Sequence, residues 1–346
     1  MPHLHKQTRS LPSRLALFVL LALLLPVSAQ QAPSTNDSGT VSLVFTAIDK
    51  NKHFVASLRR EDIRVMEDGV QQEITAFDQQ TDKPVSIVIM LDMSVSQEKV
   101  IPIAKFVSRE FVDSIVRPGK DSVGVVTFTG EAKFEQELTS DLEQVRRAIE
   151  RVEFKRPPGY PKGPILVTNR AQVPKIIADQ LPNISRDQLL LGSTAIWDAV
   201  SFASEKVGAQ TSNNPRRIII LITDGADTSS KRKLNDAMEA AIKSGVAVYS
   251  MGLGDDYYGG TNKDALRKIS ERTGGRAFFP KIVQDVRDAF KEVEQELRSQ
   301  YLFSYSPTNK KPGDKLRKVK IEIVNPELRK QDLQLSYPQG YYAKKE

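Results

Sequence analysis

Residues 88–96 read Val88-Ile89-Met90-Leu91-Asp92-Met93-Ser94-Val95-Ser96. An apolar run that ends in Asp-x-Ser-x-Ser describes a buried strand whose mouth presents one carboxylate and two hydroxyls. The strand is expected over 86–91, aliphatic throughout and buried on both faces. Two later stretches belong with it. Gly192-Ser193-Thr194 opens a helical segment, and the apolar run from Ile218 to Thr223 ends in Asp224-Gly225. Asp92, Ser94, Ser96, Thr194 and Asp224 therefore offer five hard oxygen donors from three loops, a set suited to a divalent cation of the magnesium type.

Outward from this run, strands and amphipathic helices alternate. Strands are expected at 121–129, 132–138, 217–223, 246–253 and 277–279. Helices are expected at 100–116, 141–152, 194–207, 234–244, 264–273 and 283–300. Such alternation argues for an α/β fold with a doubly wound, mainly parallel, Rossmann-like sheet over 84–300. Ligands of open α/β sheets gather at the carboxyl ends of strands near the switch point, which is where Asp92 and Asp224 fall. Residues 153–191 break the rhythm: Pro157-Pro158-Gly159-Tyr160-Pro161 fits neither a regular helix nor a central strand. This Pro-rich insertion is expected to reach the same sheet edge as the Asp92 loop, as either a functional or a disordered segment.

The flanks have a β texture. In the segment 41–83, Val41, Leu43 and Phe45 recur at period two, and 63–77 reads as a hairpin turning at Asp68-Gly69. After 300, in the segment 301–346, strands are expected at 301–305, 319–324 and 333–337, before the closing Gly340-Tyr341-Tyr342. Neither flank can hold a core alone. The economical solution is a small β-sandwich built from both, interrupted by the α/β domain.

The first 29 residues stand apart. Lys6, Arg9 and Arg14 precede an almost unbroken aliphatic stretch over 15–25, and Pro26-Val27-Ser28-Ala29 supplies small residues for cleavage. This is the pattern of a secretory signal peptide, too short to span a bilayer comfortably; an uncleaved anchor is the alternative. The polar stretch 30–40 then reads as a linker. No integral membrane span is expected after cleavage. The chain has no cysteine, which excludes disulfide scaffolds and thiolate metal sites. Export without cysteine points to the periplasm or cell envelope of a bacterium. The 50 Lys+Arg and 43 Asp+Glu of the whole chain, less the leader's basic side chains, leave about +4. No basic stripe is interleaved with aromatics, so nucleic acid is not an expected partner. Lys231-Arg232-Lys233 reads as a solvated loop.

Asp92-x-Ser94-x-Ser96, Thr194 within Gly-Ser-Thr-Ala, and Asp224 within Thr-Asp-Gly resemble the metal-ion-dependent adhesion site of von Willebrand factor type A domains. The flanks, with the Glu-Asp-Gly hairpin and Gly340-Tyr341, look more narrowly like the secreted acidobacterial family related to that domain. The resemblance implies that Asp92, Ser94, Ser96, Thr194 and Asp224 hold Mg²⁺ or Mn²⁺, and that the function is adhesion or assembly. A protein partner would complete the shell with an Asp or Glu. One residue departs from the family pattern: Val95 stands where glycine is usual, and a β-branched side chain should restrict the loop. Asp198, one turn after Thr194, is either an orienting acceptor or a helix-surface carboxylate.

Two other readings compete. One is a structural scaffold whose metal site has decayed. The other is a hydrolase with Asp92 as nucleophile, but Ser94 stands where haloacid-type phosphatases need a second Asp. With His3 and His5 in the leader, His53 is the last histidine and lies in the β flank, which makes a Ser-His-Asp triad implausible. No Walker or nucleophile-elbow motif is present. An enzyme is therefore not expected.

Overall fold

The computed structural model describes residues 39–80, 82–156, 192–211, 216–254, 261–311, 313 and 315–343. The expected signal peptide, most of the linker and most of the 153–191 insertion lie outside the described residues.

The elements run in chain order as β1 (Val41–Ile48), β2 (Ile63–Glu67), β3 (Val70–Gln72), β4 (Ile74–Gln79), β5 (Ser86–Asp92), α1 (Ile101–Ile115), β6 (Ser122–Phe128), β7 (Ala132–Thr139) and α2 (Leu142–Arg151). After the insertion come α3 (Ile196–Gln210), β8 (Arg217–Thr223), α4 (Leu234–Lys243), β9 (Val246–Gly252), α5 (Lys263–Thr273), β10 (Ala277–Phe278) and α6 (Val283–Arg298). The chain closes with β11 (Tyr301–Tyr305), β12 (Leu316–Ile323), α7 (Pro326–Arg329), β13 (Gln334–Ser336) and β14 (Gly340–Tyr342).

Six strands form the central sheet in the order β10-β9-β8-β5-β6-β7. All pair in parallel except β7, which runs antiparallel to β6. Strand β5 is buried along its whole length because successive side chains enter two different cores. Ile87, Ile89 and Leu91 join a core with Val107 and Phe111 of α1, Val145 of α2 and Phe290 of α6. Val88 and Met90 join another with Val200 of α3, Ala237 of α4 and Ile269 of α5. Among the described residues the unit is thus an α/β doubly wound fold with three major helices to a face. From β5 the chain crosses through α1 to β6; from β8 it crosses through α4 to β9, on the other side. The carboxyl ends of β5 and β8 therefore flank the switch point.

Around this unit lie two four-stranded sheets, β13-β1-β11-β4 and β14-β12-β2-β3. Each combines strands from both flanks: β11 pairs antiparallel with β1 and β4, and β12 with β2. Leu43, Phe45, Val65, Phe303, Tyr305 and Ile321 share their core. The β2–β3 hairpin turns on Asp68 (φ 47°) and Gly69 (φ 86°), the positive pair that a type I′ turn requires. Within the sandwich, buried Glu67 accepts hydrogen bonds from the hydroxyls of Tyr305 (2.9 Å) and Tyr341 (2.8 Å) and pairs with Arg317 at 3.1 Å.

The two units meet at Arg216. Its guanidinium donates to the carbonyls of Gln80 (3.0 Å), Lys83 (2.6 Å) and Leu297, and to Gln300 Oε1 (2.8 Å). One side chain thus ties together the segments entering and leaving the α/β unit.

Candidate metal centre

Asp92 is the last residue of β5 and is 2% exposed. Its Oδ1 accepts the Ser94 backbone N–H at 2.9 Å, and its Oδ2 accepts the Thr223 hydroxyl at 2.6 Å. Burial, followed by the negative charge of nearby Asp224, pushes this carboxyl up to about 7. Past the strand, the chain turns through a short 3-10 helix over Val95–Gln97. That turn brings the hydroxyls of Ser94 and Ser96 to 3.1 Å from each other.

Val95 fits this turn without strain. Among the described residues only Lys52, Asp68 and Asp332 adopt positive φ without being glycine. The position taken by Val95 is right-handed and open to any L-residue. Its side chain is buried. The expected restriction of the loop does not take the form of backbone strain.

Thr194 sits just before α3 and is held by the loop that follows β8. Its N–H donates to Thr228 Oγ1 at 2.8 Å, and its carbonyl accepts the N–H groups of Thr228 (2.8 Å) and Ser229 (3.0 Å). On the other side Ala195 N–H reaches the Thr129 carbonyl at 2.7 Å. The helix expected from residue 194 begins at Ile196 instead, because these bonds hold Thr194 in loop conformation.

Asp224, also 2% exposed, follows β8 directly. Its Oδ1 accepts the Ala226 N–H at 2.8 Å and its carbonyl accepts the Asn262 N–H at 2.7 Å. Gly225 turns the chain at φ +78°, and a Cβ there would lie 2.9 Å from Leu266 Cγ. Only glycine combines that angle with so close an approach.

The five residues expected from the sequence thus lie on the three loops at the β5/β8 switch point. Their chemistry fits a hard divalent cation: two buried carboxylates that repel each other, with neutral hydroxyl oxygens beside them. Among the described residues no group of three or more His, Cys, Asp or Glu could hold a metal. A centre here must draw on hydroxyls, as this set does.

The sequence reading missed the supports. Thr223 orients Asp92. Asp227, whose carboxyl burial holds above its usual range, accepts the Ile196 N–H at 2.8 Å and the Ser230 hydroxyl at 2.5 Å. Ser230 in turn accepts the N–H of Trp197 at 3.0 Å. Asp198 accepts the N–H groups of Lys231 (2.9 Å) and Arg232 (2.8 Å). It positions the loop that follows Ser230. The signal available was the polar run 223–230, four of whose hydroxyls and carboxylates serve one loop-to-loop zipper.

Comparison with known proteins follows the same outline. Residues 87–226 and 168–295 each match a profile described as the von Willebrand factor type A domain. No curated protein matches the chain in sequence. Among solved structures, a von Willebrand factor type A protein from Catenulispora acidiphila is 12% identical, covering 92% of this chain and 75% of its own, with a TM-score of 0.46. Proximal thread matrix protein 1 from the mussel byssus, with a zinc-occupied MIDAS motif, is 19% identical over 64% of this chain and 50% of its own, TM-score 0.44. The manganese-loaded TRAP protein of Plasmodium vivax is 13% identical over 79% of this chain and 100% of its own, TM-score 0.41. The two profile matches overlap and together run through nearly all of the six-stranded unit, from β5 into α6: this chain carries a von Willebrand factor type A domain.

Proposed function

We propose that the protein is an exported, metal-dependent protein-binding module for adhesion or assembly, and that Asp92, Ser94, Ser96, Thr194 and Asp224 hold Mg²⁺ or Mn²⁺. The observation that carries this reading is the convergence of two buried, mutually repelling carboxylates and neutral hydroxyls at the switch point. A bound cation offsets that repulsion. Two carboxylates balance its charge, and neutral hydroxyls leave it electrophilic enough to take an Asp or Glu from a partner. In this mechanism Asp92 and Asp224 bind, Thr223 and the Ser94 N–H orient Asp92, and the Thr228–Ser230 segment fixes the Thr194 loop. No bond in the partner needs to break. The lone histidine among the described residues, His53, is exposed and faces Asp49 at 3.5 Å in the sandwich flank. Export rests on the leader pattern at residues 1–29. Among the described residues no helix is long and apolar enough to cross a membrane. The resemblance of its flanks to the secreted acidobacterial family related to the domain supports an exported role.

The test is calorimetric titration of Mn²⁺ and Mg²⁺ into the native protein, Asp92→Ala and Asp224→Ala. Saturable binding in the native protein alone, with all three folded, is the expected result. At a hundredfold excess over Kd the metal should add about 2.7 kcal/mol of stability. No binding up to millimolar metal would support the decayed scaffold.

A further inference from the structure

We infer that the rim of the metal centre on the α3–α4–α5 side is a basic docking surface for an acidic segment of the partner, made by Lys231, Lys233 and Lys263. This rests on the metal-dependent reading and extends it: the partner presents several carboxylates, one for the metal and others for the rim.

The loops that carry these lysines are hydrogen-bonded to the centre itself. Ser229, whose N–H donates to the Thr194 carbonyl, precedes Lys231 by two residues, at most about 7 Å of chain. Asn262, whose N–H donates to the Asp224 carbonyl, directly precedes Lys263. Lys231 and Lys233 are held on a rigid support, because Asp198 accepts the Lys231 and Arg232 N–H groups and Asp236 accepts the Lys233 N–H at 2.8 Å. All three lysines are exposed, and among the described residues none forms an ion pair; the Lys263 ammonium lies 5.5 Å from the centre of the Phe279 ring. Of the neighbouring carboxylates, Asp198 and Asp236 accept backbone N–H groups. Glu205 pairs with Arg232 at 2.6 Å, and Asp264 lies 3.9 Å from Arg267.

Lys233 immediately precedes α4 and Lys263 opens α5. Helix N-termini favour anions and disfavour cations. Asp236 and Asp264 in the first turns of α4 and α5 offset part of this charge, and the three exposed ammonium groups give the edge of the centre the positive potential that attracts an acidic ligand and steers its approach.

The test uses a labelled octaglutamate peptide, titrated into the full protein at 50 mM salt with saturating Mg²⁺ or with EDTA. The rim variant replaces Lys231, Lys233 and Lys263 with Gln. The control removes the same charge from the sandwich flank by replacing Lys310, Lys311 and Lys330 with Gln. Expected is about tenfold weaker peptide binding by the rim variant, roughly twofold per exposed ion pair, with unchanged Mg²⁺ affinity and a difference that vanishes at 1 M salt. The control should stay within about twofold of native. Native-like binding by the rim variant, equal loss in the control, or no octaglutamate binding at all would overturn the proposal. So would capture of dextran sulfate in place of octaglutamate. The two readings separate cleanly. Loss in EDTA and in Asp92→Ala, with the rim variant native-like, sinks the rim and keeps the metal. Loss in the rim variant, with EDTA and Asp92→Ala without effect, does the reverse.

Discussion

Glu67 in the sandwich and Asp92 in the α/β unit are equally hidden, at 2% exposure each. Their surroundings are opposite. Glu67 has Arg317 at 3.1 Å and two tyrosine hydroxyls within 2.9 Å. Asp92 has the hydroxyls of Thr223 and Ser94 and the Ser94 amide for donors, and the nearby charge acting on it is Asp224, of the same sign. The first arrangement is complete within the chain and joins its two ends. In the second, among the described residues, the charge acting on Asp92 adds to the cost of burial and does not offset it. A buried carboxylate is therefore a clue to function when its counter-charge is missing, and a clue to architecture when the counter-charge is present.

The strongest way to break this contrast is Arg317→Ala, which leaves Glu67 buried without its cation. Removing one partner of a buried pair typically costs about 3–5 kcal/mol, and urea unfolding should read a loss of that size. Next comes pH. Burial outweighs the pull of Arg276, 3.7 Å away, and pushes Glu296 from 4.5 up to about 7; Thr46 donates to its other oxygen at 3.1 Å. Between pH 4.5 and 7 the native state then binds more protons than the unfolded state, so stability falls as pH rises and levels off above about 7. The fall from this group is on the order of 3 kcal/mol. Urea midpoints across that range, measured with EDTA, should show a flatter profile in Glu296→Gln.

Asp92→Asn has the opposite sign to Arg317→Ala. It relieves like-charge repulsion and should stabilise the metal-free protein by about 1 kcal/mol at pH 8 while removing metal binding. Destabilisation would mean that Asp92 is already compensated within the chain. The smallest effect belongs to Val95→Gly: about 0.5–1 kcal/mol of lost stability from added chain freedom, with Mn²⁺ affinity within twofold. A tenfold gain in affinity would show that Val95 does hold the loop back.

Most of the α/β unit was legible because its signals are local. Aliphatic runs ending in Asp92 and Asp224 give strand, strand end and donor in one reading. The flanks were readable as β structure, and their pairing followed from neither having a core. What local spacing could not show is which distant residue completes a polar group. Arg216 and Arg317 lie in or beside strands, and their partners are brought in by tertiary structure. Asp198 looked ambiguous because its two donors are backbone N–H groups of a loop more than thirty residues on. Val95 was read through a usual glycine, whereas the turn it starts requires no unusual φ.

The sandwich's two-ended construction has a consequence for the order in which this chain can fold. Ser42 on β1 meets Ser304 on β11 across a separation of 262 residues. Contacts that distant carry the closure entropy of everything between them, and they form slowly. The first strands, β1 to β4, emerge from synthesis long before β11, β12 and β14 exist to receive them. The α/β unit can collapse in that interval on its own two cores, shortening the gap its ends must bridge. Until β11 arrives, β1 and β4 remain open edges, so a chain in transit is most exposed to aggregation through these early strands.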